Sequence, residues 1–442
     1  MIILADPVAI KDMKHLRPFF YGLAELSPTA IDLFLKVYLL LYFTQIRGLN
    51  ASGTSAVIGV GILWDALIDP WIGAFSDRFK EKHGNRRLLL YIAVAGVALS
   101  FYGLWRIPTE LGITTYLYLF IFSAVLNSSL SLFSVPFYAI ANDLEKDNSK
   151  RRTWIGWRLI FFNLGSIIGL SIPAYYLTQS KNENLQQLAS TTIPYLYSVS
   201  ALVMMTVILS GIAIFGMYYQ TPILRSEVRN QSLPLRIIFK DYLFVQVLAA
   251  FFIVNCGLGL NSTLALFYYK EFLQFSETQT QTIIITFLIV FTLSIPLWVW
   301  LTRNYSKKNL IIAGALTLGI VTVFAFPNFR PDQFYVVLGV ASLLCGVLVG
   351  VAVVMEIYLA DFLNQKEEAI GQSISGQFLG LWKMASKISR AIAISLAGPI
   401  IEISAGRPQV LANYFGGAVG LFFISAGLIF IFPIKSELKK LN

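Results

Sequence analysis

Charge is scarce in this chain: only 13% of its 442 residues are Asp, Glu, Lys or Arg, where a soluble globule carries roughly a quarter. Cysteine and histidine are scarcer still, with two of each. Cys256 and Cys345 both fall inside apolar runs, which gives a structural disulfide little support. His15 and His83 stand in polar segments, which reads against a His-based metal or catalytic centre. Lys11, Lys14 and Arg17 interrupt the first stretch before any apolar core begins, which reads against a cleavable signal peptide. What is abundant is apolar: 56% of residues are hydrophobic and 14% aromatic, a content that excludes disorder. The composition implies a polytopic membrane protein. A soluble enzyme, a secreted disulfide domain and a nucleic-acid binder are all disfavoured, the last despite a net charge of +10.

A spanning helix needs about 20 mostly apolar residues. Such runs, separated by charged or Pro/Gly/Asn-containing loops, give twelve spans centred near residues 33, 64, 96, 128, 167, 206, 254, 291, 318, 346, 387 and 423. The runs at 33, 64 and 387 are the least hydropathic because they contain charges. Twelve spans put both termini on one side. Loops on the opposite side contain only Arg47, Arg106, Lys181, Lys270, Arg330 and Arg407, whereas the terminal segments and the remaining loops hold most of the 34 Lys and Arg. By the positive-inside bias both termini are expected in the cytoplasm, with the protein in the plasma (inner) membrane.

The long polar connection 219–241 separates the first six spans from the last six. The expected organisation is all-α: an N-terminal six-helix bundle over 1–218, a cytoplasmic central loop over 219–241 and a C-terminal six-helix bundle over 242–442. Transporters built from two repeated bundles have this plan, with their sites near the bilayer midplane. A membrane scaffold or polytopic enzyme is the plainer alternative.

Nine ionisable residues lie within the spans: Glu25, Asp32, Lys36, Asp65, Asp69, Glu356, Lys383, Lys387 and Arg390. Each costs about 2.5 kcal/mol or more at the bilayer centre if it faces lipid, so each should face another polar group or a watery cavity. Asp32 and Lys36 are four apart, on one helix face with Glu25. They form either a local ion pair or a contact to a polar substrate, and Glu25 fits an interfacial position as well. Asp65 and Asp69 present two carboxylates at i and i+4, which suits a hard monovalent cation or a shared proton; structural pairing with basic groups is the alternative. Lys383, Lys387 and Arg390 make a basic stripe whose partners could be the acids of the first two spans. Part of that stripe could instead snorkel to an interface.

Several of these residues also carry a resemblance. Trp64-Asp65-x-x-x-Asp69-Pro70, the preceding Tyr42-Phe43-Thr44 with Gly48-Leu49, and Gly73 followed by Asp77-Arg78 resemble the glycoside-pentoside-hexuronide:cation symporters, a melibiose permease-like family of the major facilitator superfamily. Val135 to Ala139, Gly156-Trp157-Arg158, and Gly380-Leu381-Trp382 with Lys387 extend the resemblance in order along the chain. It implies a twelve-helix transporter in which Asp65 and Asp69 bind the cation, as metal ligands if that cation is Na+, with the Ser131 hydroxyl contributing and Lys387 nearby. Tyr138 and Arg158 match positions lining the sugar pocket, joining Asp32, Lys36 and Lys383 as candidate substrate residues. Asp77, Arg78, Arg86 and Arg87 would form a gate on the cytoplasmic side.

The departures are equally specific. Pro28-Thr29 replaces a Lys-Asp pair that holds galactosides, Ser134 replaces an aspartate, and Ile68 replaces an asparagine between the two cation aspartates. Galactoside specificity is left without support, and the ion stays open between Na+ and H+. The expected function is cation-coupled symport of a small polar solute such as a sugar, by a monomer with no cofactor beyond its coupling ion. Two alternatives stand beside it: a lysophospholipid symporter, and a non-transporting membrane assembly factor with the same fold.

Overall fold

The computed structural model describes residues 7–106, 113–144, 148–182, 192–218, 241–370 and 375–431. Most of the expected central loop, 219–240, lies outside the described residues, as do the extreme termini. The described chain is helical, and twelve of its helices are long and apolar enough to cross a membrane. The first six spans are Leu16–Ile46, Ala51–His83, Arg87–Leu104, Thr114–Ile140, Thr153–Thr178 and Ile193–Tyr218. The last six are Tyr242–Phe272, Glu277–Asn304, Lys307–Asn328, Phe334–Leu363, Gly380–Ile403 and Pro408–Ile431. Every centre expected from the sequence falls inside one of them, so the protein is a multi-pass membrane protein. Cys256 and Cys345 are free, buried thiols.

The helices group into two compact units, Met1–Leu35 with Trp64–Glu227 and Lys36–Leu63 with Val228–Asn442. The first two helices each run through both. In the first unit, the third span packs against the fourth and sixth, and the fifth against the sixth. Tyr21, Leu90, Phe133, Phe137, Trp154 and Met217 share its core, with Tyr21 stacked on Phe137 at 4.5 Å between ring centroids.

Hydrocarbon offers helices no solvent-driven reason to associate, so close packing over small residues takes that role. The first and fifth spans meet in parallel in this way. A Cβ added at Gly165 would stand 2.3 Å from the Leu26 carbonyl oxygen, and one at Gly169 would stand 2.3 Å from that of Ala30. The two glycines are one helical turn apart, as are Leu26 and Ala30, which fixes the register between the helices. Gly169→Ala is therefore expected to destabilise by about 1–3 kcal/mol through overpacking. Gly156→Ala, where an added Cβ meets nothing within 4 Å, should change little. Thermal unfolding of the two purified variants compares them directly.

In the second unit, the seventh span packs against the eleventh and twelfth, and the ninth against the twelfth. Two turns in this unit share one design. Tyr42–Ile46 and Tyr268–Phe272 are wide, π-helical turns ending the first and seventh helices. Arg47 donates its N–H to the Tyr42 carbonyl and Leu273 donates to that of Tyr268; Leu49 donates to Phe43 and Phe275 to Tyr269. Gly48 and Gln274 both take positive φ. Asn50 and Ser276 then cap the following helices, accepting from Gly53 and Gln279. One constant offset in the numbering, the 226 that separates Gln45 from Glu271, relates every member of the two sets. The end of span one and the end of span seven are thus the same structure built twice, as a repeated six-helix plan requires.

Candidate functional site

In the first unit, two helices present a polar seam in the membrane-spanning region. Trp64 and Asp65 are neighbours on the second span, and Ser128 and Ser131 lie one turn apart on the fourth. Trp64 Nε1 donates to Ser128 Oγ at 3.1 Å, and Ser131 Oγ donates to Asp65 Oδ1 at 2.5 Å. Asp65 is 7% exposed and Ser131 2%. A carboxylate buried to this extent is tolerable only where hydrogen bonds or an opposite charge compensate for lost water. Asp69, half-buried, follows one turn later at about 6 Å along the axis.

Pro70 has no N–H, so the carbonyl of Ala66, lying between the two aspartates in sequence, loses its helical donor. Among the described residues no three His, Cys, Asp or Glu side chains converge in metal-binding reach. Oxygen ligands beyond the two carboxylates would therefore be neutral. The Ser131 hydroxyl, whose lone pairs stay available while it donates to Asp65, is placed for that.

A second polar cluster sits further along the fourth span. Tyr138 is seven residues beyond Ser131, so both fall on one helix face. Its hydroxyl donates to Glu25 Oε1 at 3.2 Å, and the Arg158 guanidinium lies over its ring at 4.7 Å, within cation–π range. Glu25, 7% exposed, comes from the first span and Arg158 from the fifth. The close register set by Gly165 and Gly169 is what brings them to one tyrosine. Glu25, for which an interfacial position was one of two readings, meets two of the candidate substrate residues here.

Of the four expected gate residues, two meet. Arg86 Nη2 reaches Asp77 Oδ1 at 2.6 Å, and Arg86, almost fully buried, also donates to Ser76. This pair joins the second span to the third across a tight turn at Gly84, whose φ is +76°. Arg78 is exposed. Arg87 turns to the aromatic rings of Tyr91 and Phe215, at 5.5 and 5.6 Å, tying the third span to the sixth. Asp32, Lys36 and Lys387 are half-buried, and Lys383 is exposed. Beside the basic stripe, Ser386 donates to Asn255 Oδ1 at 3.2 Å, linking the eleventh and seventh spans.

A family described as MFS/sugar transport protein matches residues 20–429. The chain belongs to that family. It is accordingly a secondary transporter of the major facilitator superfamily (MFS). Among curated proteins it resembles the sodium-dependent lysophosphatidylcholine symporter 1-A of Danio rerio, at 22% identity over 95% of this chain and 85% of that one. The sodium-dependent lysophosphatidylcholine symporter 1 of Xenopus tropicalis is likewise 22% identical, over 95% of this chain and 86% of that one. Among solved structures the nucleoside transporter NupG superposes with a TM-score of 0.66 at 16% identity, covering 95% of this chain and all of that one. That likeness supports the MFS fold of the chain.

Proposed function

We propose that this MFS protein is a cation-coupled symporter. Asp65, Asp69 and Ser131 take the cation, and Glu25, Tyr138 and Arg158 take the charged or polar head of the solute. The observation that carries the reading is that Ser131, whose hydroxyl holds the buried Asp65, shares a face of the fourth span with Tyr138, which meets Glu25 and Arg158. One helix thereby lines both groups, so ion and solute can influence each other reciprocally. Lys387, Lys383, Asp32 and Lys36 remain candidate contributors from the first and eleventh spans, and Asp77 with Arg86 a candidate cytoplasmic gate. The Lys/Arg bias supports cytoplasmic termini.

For the solute, the lysophosphatidylcholine symporters matched over nearly the whole chain favour a lysophospholipid, whose head carries charges of both signs. The motif resemblance and the family description favour a sugar or other small polar solute. Purified protein in nanodiscs, heated with a lysophosphatidylcholine or with a panel of glycosides, separates them. Each ligand is tested in Na+ and in K+ at two pH values. A ligand at a hundred times its dissociation constant stabilises by about 2.7 kcal/mol, an easily read rise in unfolding temperature. Stabilisation by the lysolipid in Na+ alone supports the first class and Na+ coupling. Stabilisation by a glycoside supports the second. Stabilisation by each ligand to the same extent in both salts and at both pH values would overturn cation coupling.

A further inference from the structure

The second unit holds a set of polar contacts that the candidate site does not use. They lie at the connections between spans one and two, seven and eight, and eleven and twelve, which alternation of the twelve spans puts on one face of the membrane. The central one is made by Glu402. This residue occupies the last turn of the eleventh span, where unsatisfied carbonyls make the helix end negative and a carboxylate is disfavoured. Its oxygens go to the start of another helix. Oε1 accepts from the Ser52 N–H at 2.8 Å and Oε2 from the Ser52 hydroxyl at 2.6 Å. A helix N-terminus has orphan N–H donors and a positive end, so the carboxylate and the second span each relieve the other.

The backbones behind this contact are close. A Cβ at Gly398 would lie 2.4 Å from the Ala51 carbonyl oxygen, and one at Gly59 would lie 2.2 Å from Ser395 Oγ. Ser55 Oγ stands 3.5 Å from the Ser395 carbonyl, the group that Pro399 deprives of its helical donor. Nearby, Gln45 Nε2 donates to Glu271 Oε1 at 2.5 Å, a bond between equivalent positions of the repeated turn, as contacts on a two-fold axis are. Gln281 donates to the Tyr38 hydroxyl and to Glu277 Oε1, and Lys270 pairs with Glu277 at 2.7 Å. Residues 36–63 belong to one compact unit with the C-terminal helices, although their two helices run unbroken into the first unit. The second helix passes from one unit to the other between Leu63 and Trp64, one residue before Asp65.

We infer that Glu402 is a positioning residue of the transport cycle. Its carboxylate clasps the start of the second span and, with the Gln45–Glu271 bond, keeps residues 36–63 closed on the C-terminal helices at this face. Release of the clasp frees that stretch, and the continuous second helix carries the movement to Asp65. Glu402 is exposed, so its bonds are screened and weak enough to be broken in every cycle. The inference rests on the transporter assignment, and its test requires neither the proposed solute nor the proposed ion.

Thr54 reports the clasp. It is fully buried within the closed stretch, and among the described residues its hydroxyl has no hydrogen-bond partner, so Thr54→Cys alters little else. The full-length variant in vesicles is labelled with a membrane-impermeant maleimide, and the labelled sites are read by mass spectrometry. Buried Cys256 in the seventh span serves as the control for unfolding. Adding Glu402→Ala should speed labelling at position 54 by about tenfold, equivalent to about 1.4 kcal/mol in the opening equilibrium, with Cys256 unchanged. Glu402→Gln, which keeps one carbonyl acceptor, should fall between Glu402→Ala and the parent. Unaltered labelling in Glu402→Ala would overturn the inference. Should Cys256 also become reactive there, Ser52→Ala, which removes a single hydroxyl, decides the matter: faster labelling at 54 supports the clasp, and a parental rate overturns it.

Discussion

Asp65→Asn is expected to abolish cation-driven accumulation while leaving a folded protein that still exchanges its solute. The asparagine has the volume of the aspartate and keeps a carbonyl oxygen for the Ser131 hydroxyl, which now stands 2.5 Å from Asp65 Oδ1, so local packing survives. The charge that offsets a bound cation does not. A charge-assisted contact is about twice as strong as a neutral one, and its loss should weaken cation binding by about a hundredfold, or about 2.7 kcal/mol. Ser131→Ala removes one neutral oxygen and one bond to the carboxylate. It should raise the half-saturating cation concentration by about tenfold, or about 1.4 kcal/mol, without ending coupling. Uptake measured against a cation gradient, with counterflow measured in its absence, tests both. The order matters as much as the size: accumulation by Asp65→Asn at the parental level, or a Ser131→Ala defect larger than that of Asp65→Asn, would remove the cation from this site.

The twelve spans were legible because hydrocarbon imposes a length and a composition that hardly depend on tertiary detail. Even the charged first, second and eleventh spans kept enough apolar residues to show. Packing within each unit was not legible in the same way. The pairing of Gly165 and Gly169 with Leu26 and Ala30 depends on which face of the fifth helix meets the first, and beyond Arg158 the fifth span has no charge to mark its faces. The repeat was hidden for a different reason. Tyr42-Phe43-Thr44-Gln45-Ile46 and Tyr268-Tyr269-Lys270-Glu271-Phe272 share one identical residue, and what they preserve is shape: a widened turn, a residue at positive φ and a helix cap. Glycine at 48 announces that φ, whereas glutamine at 274 does not.

The candidate site divides along a similar line. Asp65 and Asp69 stood out because intramembrane carboxylates are costly and their i, i+4 spacing is local, so no fold was needed to see them. Ser131, Tyr138 and Arg158 came only through resemblance, since serine, tyrosine and a helix-end arginine are ordinary in sequence. Glu25 lay near a span end, where a carboxylate is cheap, and only the packing of the first span with the fourth and fifth gives it Tyr138 and, beside that ring, Arg158. Glu402 was invisible as a positioning residue because an acid near a loop is ordinary until the helix it caps is known to lie across from it. In each case the missing information is a long-range register.

Arg158→Ala should reduce solute affinity by about a hundredfold or more, about 2.7 kcal/mol, the largest effect expected in the substrate cluster. Arg158→Lys separates charge from shape. Lysine keeps the positive charge but loses the planar face that lies over Tyr138 at 4.7 Å and the forked donors suited to phosphate or carboxylate, so about a tenfold loss should remain. Glu25→Gln identifies the other end of the solute. If Glu25 receives a cationic or hydroxyl-rich group, the variant binds more weakly. If it only restrains Tyr138 and Arg158, the variant binds an anionic head as tightly as the parent or more so. Stability supplies a check that needs no solute. The Tyr138 hydroxyl donates to Glu25 and the Tyr138 ring receives Arg158, so both charges meet on one side chain. Removing Arg158 alone leaves the buried carboxylate without that neighbouring positive charge, whereas removing both charges does not. The double variant Glu25→Gln/Arg158→Ala should therefore unfold at a higher temperature than Arg158→Ala, with a coupling of about 0.5–3 kcal/mol. Additive losses would mean that the two charges act independently, and that Glu25 is buried for some purpose other than balancing Arg158.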